Sequence, residues 1–288
     1  MERSRTGLGA AVHQIVMQAN VAELLAVDLT VEYPSGQRVL NGARFTMSSG
    51  EILGLVGESG TGKSTLALAI LQLLPPGTRL DGSVRFRGKE LVGLSERDLR
   101  QIRGKQISLI LQSPMTALNP ALRIGEQLWQ AWIAHGPRDR EAFQMRLERL
   151  MGALRLPTDR GFLQRYPREL SVGMAQRVLI ALATLHQPRL LIADEPTSAL
   201  DLLTQAETLE LLAELNRESG IGILFISHDL NCVAQVCDRV AVLHGGEIVE
   251  CGPVRDVFER PAHPYVKRLV QMLGARTPVR NRHPSPAT

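Results

Sequence analysis

A chain of 288 residues that is 44% hydrophobic and 22% charged is long enough for one large core and has the make-up of an ordinary globular protein. Its 33 basic and 29 acidic residues leave +4, too even a balance to argue for nucleic acid. No window of about twenty apolar residues is present to span a bilayer. Cys232, Cys237 and Cys251 make neither an even disulfide set nor a four-ligand metal site, so reduced thiols in a cytosolic compartment are expected.

In chain order, residues 1–20 read as a flexible N-terminal tail rather than a signal peptide: His13, Gln14 and Gln18 interrupt the apolar stretch, and Met17 offers a second start. Residues 24–33 alternate apolar and polar as a strand does, and Pro34-Ser35-Gly36 turns the chain. A strand over 51–56 runs into a glycine-rich turn, followed by a helix over 63–74 that Pro75-Pro76-Gly77 ends. Short strands follow at 83–86 and 107–111. The pattern is helical from 125 to 156 with a break at Pro137, and 171–185 is a helix with Ser171 as its N-cap. Apolar strands at 190–193, 223–226 and 240–243 are separated by helices over 203–217 and 230–236. This alternation predicts an α/β fold whose mostly parallel sheet is covered on both faces. An all-helical stretch at about 113–170 interrupts it as a separate subdomain. Residues 275–288 are basic and proline-rich and read as a disordered tail, leaving 21–274 as the folded unit.

The chemistry concentrates at strand ends. Gly57-Glu58-Ser59-Gly60-Thr61-Gly62-Lys63-Ser64-Thr65 fits G-x-x-x-x-G-K-[ST], with a strand before it and a helix after it. The glycines let backbone N–H groups converge on phosphate oxygens, aided by the helix N-terminus. Lys63 then reaches the β- and γ-phosphates, and Ser64 ligates Mg²⁺. The apolar strand before Asp194 and Glu195 ends in two carboxylates: Asp194 suits the Mg²⁺ shell, and Glu195 suits a general base polarising water. Gln112 follows a short strand, where it contacts Mg²⁺ or the attacking water, or simply sits in a loop. His228, after the strand 223–226, is placed to bond a γ-phosphate. Tyr33 either stacks on an adenine ring or packs. Ser171-Val172-Gly173 at a helix start suggests a second phosphate-binding edge that one chain cannot close on its own nucleotide.

Together these segments resemble the ATP-binding subunit of an ATP-binding-cassette (ABC) transporter over roughly residues 22–273, with the motifs in the family's order and spacing. The resemblance makes 57–65 Walker A, Gln112 the Q-loop, 170–174 the signature, 190–195 Walker B, 198–201 the D-loop, His228 the switch histidine and Tyr33 the adenine platform. It implies a P-loop NTPase (RecA-like) core with an antiparallel β subdomain and an inserted helical subdomain. It implies ATP and Mg²⁺ as ligands, with Ser171, Gly173 and Asp201 serving the nucleotide of a partner subunit. Closure of two such subunits drives a pair of transmembrane permease subunits at the cytoplasmic face of the inner membrane.

The Q-loop segment 112–120 and His263-Pro264-Tyr265 look like the peptide and nickel importers of the dipeptide/oligopeptide group. That implies a heterodimer with a similar ATPase and an extracytoplasmic substrate-binding protein, with a small peptide, nickel or metal chelate as cargo. The chain lacks the C-terminal cysteines that peptide members can carry for an iron–sulfur cluster, which leans toward metal or metal-chelate import. An exporter's ATPase is the first alternative. A soluble ABC ATPase acting on ribosomes or DNA is the second, and an unrelated P-loop kinase the third. Val172 departs from the family's glycine; its bulk beside Ser171 and Gly173 predicts that the composite site using this signature hydrolyses more slowly than the other. Trp129 and Trp132 share a helix face that either packs in the core or docks the membrane subunit's coupling helix.

Overall fold

The computed structural model describes residues 23–272, so the expectations for the two tails lie outside the described residues. Its strands are β1 (Glu23–Glu32), β2 (Arg38–Ser48), β3 (Ile52–Val56), β4 (Arg79–Phe86), β5 (Lys89–Glu90), β6 (Ile107–Ile110), β7 (Leu190–Asp194), β8 (Gly222–Ser227), β9 (Arg239–His244) and β10 (Glu247–Pro253). Its α-helices are α1 (Lys63–Ile70), α2 (Glu96–Arg100), α3 (Pro114–Ala117), α4 (Ile124–His135), α5 (Arg140–Ala153), α6 (Arg160–Leu163), α7 (Val172–Thr184), α8 (Leu202–Ser219), α9 (Leu230–Val236), α10 (Val254–Glu259) and α11 (Pro264–Met272).

Two sheets organise the chain. A six-stranded sheet runs β10-β9-β3-β8-β7-β6, parallel throughout except for the antiparallel β9–β10 pair. A four-stranded antiparallel sheet runs β2-β1-β4-β5. Every residue of β3, β7 and β8 is buried, as expected of parallel strands covered on both faces. Their alternation feeds two cores. Leu53, Leu55, Leu190 and Ile192 pack with the antiparallel sheet and α1. Ile52, Val56, Leu191 and Ala193 pack with the helical layer.

Between β6 and α7 the chain is helical, in agreement with the expected insertion. Trp129 meets Phe143 edge-on at 5.2 Å and Trp132 stacks on His186 at 5.4 Å, so both tryptophans join α4 to its neighbours. Arg146 ties α5 to the end of α7 by donating to the Thr184 and Leu185 carbonyls. Strand β2 and strand β10 were not expected, and α1 stops four residues early. There Gln72 takes φ 53, and Leu73 N–H reaches Leu68 O while Gln72 N–H reaches Ala69 O. That pair of bonds is a Schellman stop, which ends the helix ahead of Pro75.

Candidate functional site

The parallel strands β3, β6, β7 and β8 lie side by side, so the loops after their C-terminal ends share one edge of the sheet. Gly57 follows β3, Gln112 lies two residues beyond β6, Glu195 follows β7 and His228 follows β8. A cleft of about 530 Å³ opens there, lined among others by Tyr33, Ser59, Lys63, Gln112, Glu195 and His228.

The glycine-rich loop after β3 owes its path to close backbone approach. A Cβ on Gly57 would sit 2.4 Å from the Leu243 carbonyl oxygen, so only glycine lets the loop lie against β9. Gly62 caps α1 at φ 103, and neither a side-chain cap nor an acidic residue occupies the first turn. The free N–H groups and the positive end of that helix are therefore left for an anion. Lys63 is buried, and its Nζ donates to the carbonyls of Gly57 at 2.9 Å and Glu58 at 2.8 Å. Burial lowers its pKa, opposed by the nearby Glu195 and Asp194 carboxylates. The ammonium is thus parked on the loop's own carbonyls, where a phosphate oxygen can exchange for them. Thr61 Oγ1 donates to the Glu58 carbonyl, and the Tyr33 hydroxyl bonds to Thr65 Oγ1 at 2.9 Å.

Two carboxylates stand at the end of β7, and of these Glu195 lines the cleft. Asp194 ends β7, buried, with an Oδ1 that has no hydrogen-bond partner. Burial pushes its pKa up; the Ser64 hydroxyl bond works against this, Glu195 adds to it, and Lys63 opposes it. An orphaned carboxylate oxygen beside a serine hydroxyl is an all-oxygen donor set of the kind a hard divalent cation takes, so these residues fit Mg²⁺. Glu195 has a left-handed backbone, φ 47, a strained conformation for a residue with a side chain. Both of its carboxylate oxygens are held: Gln112 Nε2 donates to Oε2 at 2.9 Å, and His228 Nδ1 lies 3.0 Å from Oε1. Since a carboxylate only accepts, the amide NH₂ must face Glu195, leaving Gln112 Oε1 for a cation or water. Gln112 was expected to follow a strand over 107–111, but β6 ends at Ile110 and Leu111 is exposed.

The structure does not bring Ser171, Gly173 and Asp201 to this cleft. It joins them to one another elsewhere. Ser171 Oγ caps α7 by accepting from Met174 N–H, and Asp201 caps α8 by accepting from Leu203 and Thr204 N–H. A Cβ on Gly173 would lie 2.6 Å from Thr204 Cγ2, and Thr204 Oγ1 donates to Asp201 at 2.8 Å. Val172 stands beside them, 41% exposed, with Leu202 and Leu203 also exposed.

Several supporting residues carried no signal in the sequence. Gln127 holds the segment after Gln112 by bonding the Asn119 N–H and the Asn119 and Leu122 carbonyls. Gln205 Nε2 donates to Cys232 Sγ at 2.7 Å, and that thiol donates to Asp229, the residue after His228. Gln37 and Val39 line the cleft where β2 begins. Each is a lone polar or apolar residue without motif spacing; only the unread β2 could have pointed to Gln37 and Val39.

Comparison with known proteins agrees with this geometry. The model of the ABC transporter family matches residues 40–198, more than half of the chain. The oligopeptide transport ATP-binding protein OppD of Salmonella typhimurium is 46% identical over 88% of this chain and 76% of its own length. The dipeptide transport ATP-binding protein DppD of Bacillus subtilis is 42% identical over 83% of this chain and 72% of its own. Among solved structures, cbiO1 from Clostridium perfringens, part of the ABC transporter complex cbiONQ, superposes with a TM-score of 0.73 at 26% identity, covering 89% of this chain and 96% of that one. The ATP-binding cassette MJ0796, bound to ADP and Pi as a dimer, gives 0.70 at 28% identity, covering 81% and 99%. The chain belongs to the ABC transporter family as an ATP-binding subunit that hydrolyses ATP to drive transport.

Proposed function

We propose that this chain powers the import of small peptides, from the cytoplasmic face of the inner membrane, as one of two similar ATPase subunits bound to two permease subunits and served by an extracytoplasmic binding protein. The single observation that carries the catalytic part is the Gln112–Glu195–His228 triangle facing Lys63 across one cleft. Peptide cargo is supported by the oligopeptide and dipeptide relatives. Nickel or a metal chelate is the second reading, carried by the likeness of residues 112–120 and 263–265 to peptide and nickel importers.

In this reading residues 57–65 and the α1 N-terminus wrap the triphosphate, and Lys63 leaves two loop carbonyls to take the β- and γ-phosphates. Tyr33 stacks on the base. Ser64 and Asp194, with Gln112 Oε1, hold Mg²⁺, which when bound neutralises charge on the phosphates. Glu195 accepts a proton from the attacking water; Gln112 and His228 fix its two oxygens, and His228 senses the γ-phosphate. Val172, Leu202 and Leu203 are apolar yet exposed beside Ser171, Gly173 and Asp201. An apolar surface next to an unfinished phosphate edge favours burial against a second cassette, whose ATP these residues then complete. Among the described residues no helix is long and apolar enough to cross a membrane, so attachment to the bilayer is assigned to the permeases.

Affinity purification of the tagged chain from detergent-solubilised membranes tests this. Two permeases and a distinct second ATPase are expected to copurify. Recovery with ribosomes or DNA and no membrane subunit would overturn it.

A further inference from the structure

A run of side-chain bonds joins the loop that carries His228 to the helix that starts after Asp201. The His228 side chain is 58% exposed, and among the described residues its one hydrogen-bond partner is Glu195. A ring held so lightly takes its place from the backbone on either side of it. Asp229 fixes that backbone: its N–H donates to Ser227 Oγ at 3.0 Å, and its Oδ1 accepts from Asn231 N–H at 2.8 Å to cap α9.

The second oxygen of Asp229 reaches across to α8. Oδ2 accepts from the Cys232 thiol at 3.3 Å and from Gln205 Nε2 at 3.5 Å, and Gln205 Nε2 also donates to the Cys232 sulfur. Cys232 is 1% exposed; burial, then the Asp229 charge, push its pKa up to about 12, so the thiol stays a donor. Gln205 lies one turn into α8, with its N–H donating to the Asp201 carbonyl at 2.8 Å. Thr197 Oγ1, two residues beyond Glu195, is the third polar neighbour of the sulfur, at 4.0 Å. One buried sulfur therefore meets the segment after Glu195, the start of α8 and the residue after His228. Away from water such bonds hold more tightly, and a group that loses its partner costs more. Neither Gln205 nor Cys232 lines the cleft, so any effect they have on hydrolysis passes through Asp229.

We propose that Gln205 and Cys232 are positioning residues for hydrolysis: together they hold Asp229, and through it they set His228 against Glu195. The inference rests on the reading of Glu195 as the general base and His228 as its partner. It also gives α8, which Asp201 caps, a direct hold on the His228 loop.

The test is ATP hydrolysis by the assembled transporter carrying Cys232→Ala, Cys232→Ser or Gln205→Leu. Cys232→Ala removes the sulfur, and kcat should fall about 3- to 10-fold, the worth of one hydrogen bond. KM for ATP should be kept, because no member of the tie lines the cleft. Cys232→Ser restores a donor and acceptor at the same place and should recover most of the lost rate. Gln205→Leu, on a half-buried helix position, should slow kcat in the same way. The double variant Gln205→Leu/Cys232→Ala should be no slower than the slower single, since both cut one tie. Parent-like kcat in both single variants would overturn the proposal. So would an equal loss in Cys232→Ser and Cys232→Ala, which would assign the effect to packing, or a raised KM with kcat kept. Glu195→Gln separates the two readings. If it hydrolyses like the parent, the general-base role fails and takes this inference with it. If it stops hydrolysis while Cys232→Ala and Gln205→Leu run like the parent, the positioning inference alone fails.

Discussion

Replacing Glu195 by Gln is the sharpest perturbation of the site, because it changes charge and proton affinity while keeping shape. The backbone at φ 47 suits glutamine no worse than glutamate, so the strain of that turn is unchanged. Both bonds at this side chain are kept only if its amide oxygen faces Gln112 and His228 takes the tautomer whose Nδ1 accepts. Gln112 donates to one oxygen through NH₂ and His228 Nδ1 approaches the other, so an amide NH₂ must face one of them. Neutralising Glu195 also removes a like charge beside Asp194 and one of the carboxylates that attract Lys63. These effects oppose each other, and the net change in stability should stay within about 1 kcal/mol, a shift of about 2–4 °C in a chain of this size. Loss of the general base is larger: about 10²- to 10⁴-fold in kcat, or roughly 3–5 kcal/mol of barrier. The assay is single-turnover hydrolysis in the assembled transporter, with hydrolysis at the partner's site disabled, alongside ATP binding and thermal melting. Glu195→Gln should bind ATP and melt like the parent while hydrolysing at least 100-fold more slowly. A loss of less than about tenfold with ATP bound would refute the general-base role.

Val172→Gly should speed the site that this signature completes, because it relieves bulk beside Ser171 and Gly173 at a side chain already 41% exposed; single-turnover rates at the two sites check it, and unchanged rates at both would end the idea. The fold should lose no more than about 1 kcal/mol from the glycine in the first turn. Cys232 should resist alkylation in the folded chain, since burial, then the Asp229 charge, push its pKa up to about 12. The raised value keeps the thiol protonated, leaving about one thiolate in ten thousand at pH 8. Mass-spectrometric labelling with iodoacetamide should modify Cys232 only after denaturation, and rapid native labelling at that pH would contradict the burial described.

The central sheet was legible because parallel strands buried on both faces read as apolar runs, as in Ile52–Val56 and Leu190–Asp194. Strand Arg38–Ser48 was not, because its Asn41-Gly42 interruption coincides with irregular pairing to β1 and breaks the alternation. Strand Glu247–Pro253 hides for a similar reason: it is an edge strand with no fully buried residue. The early stop of α1 depends on Gln72 in a left-handed conformation, where sequence signals would ask for glycine. At the site, local spacing sufficed for residues 57–65, since those atoms are neighbours in the chain. The grip on Glu195 was a different matter. Gln112 and His228 lie 83 and 33 residues away from it, and only the order of strands brings them together. Trp129 and Trp132 had two readings from their spacing; their contacts with Phe143 and His186 are those of packing.

The most direct test of the account is uptake by proteoliposomes holding this chain with its copurified ATPase and permease subunits and the cognate binding protein. ATP inside the vesicles should drive accumulation of a radiolabelled short peptide, and Glu195→Gln should abolish it without disturbing assembly. Glu195→Gln vesicles that accumulate peptide as the parent does, or parent vesicles that take up nickel or its chelate and no peptide, would contradict it.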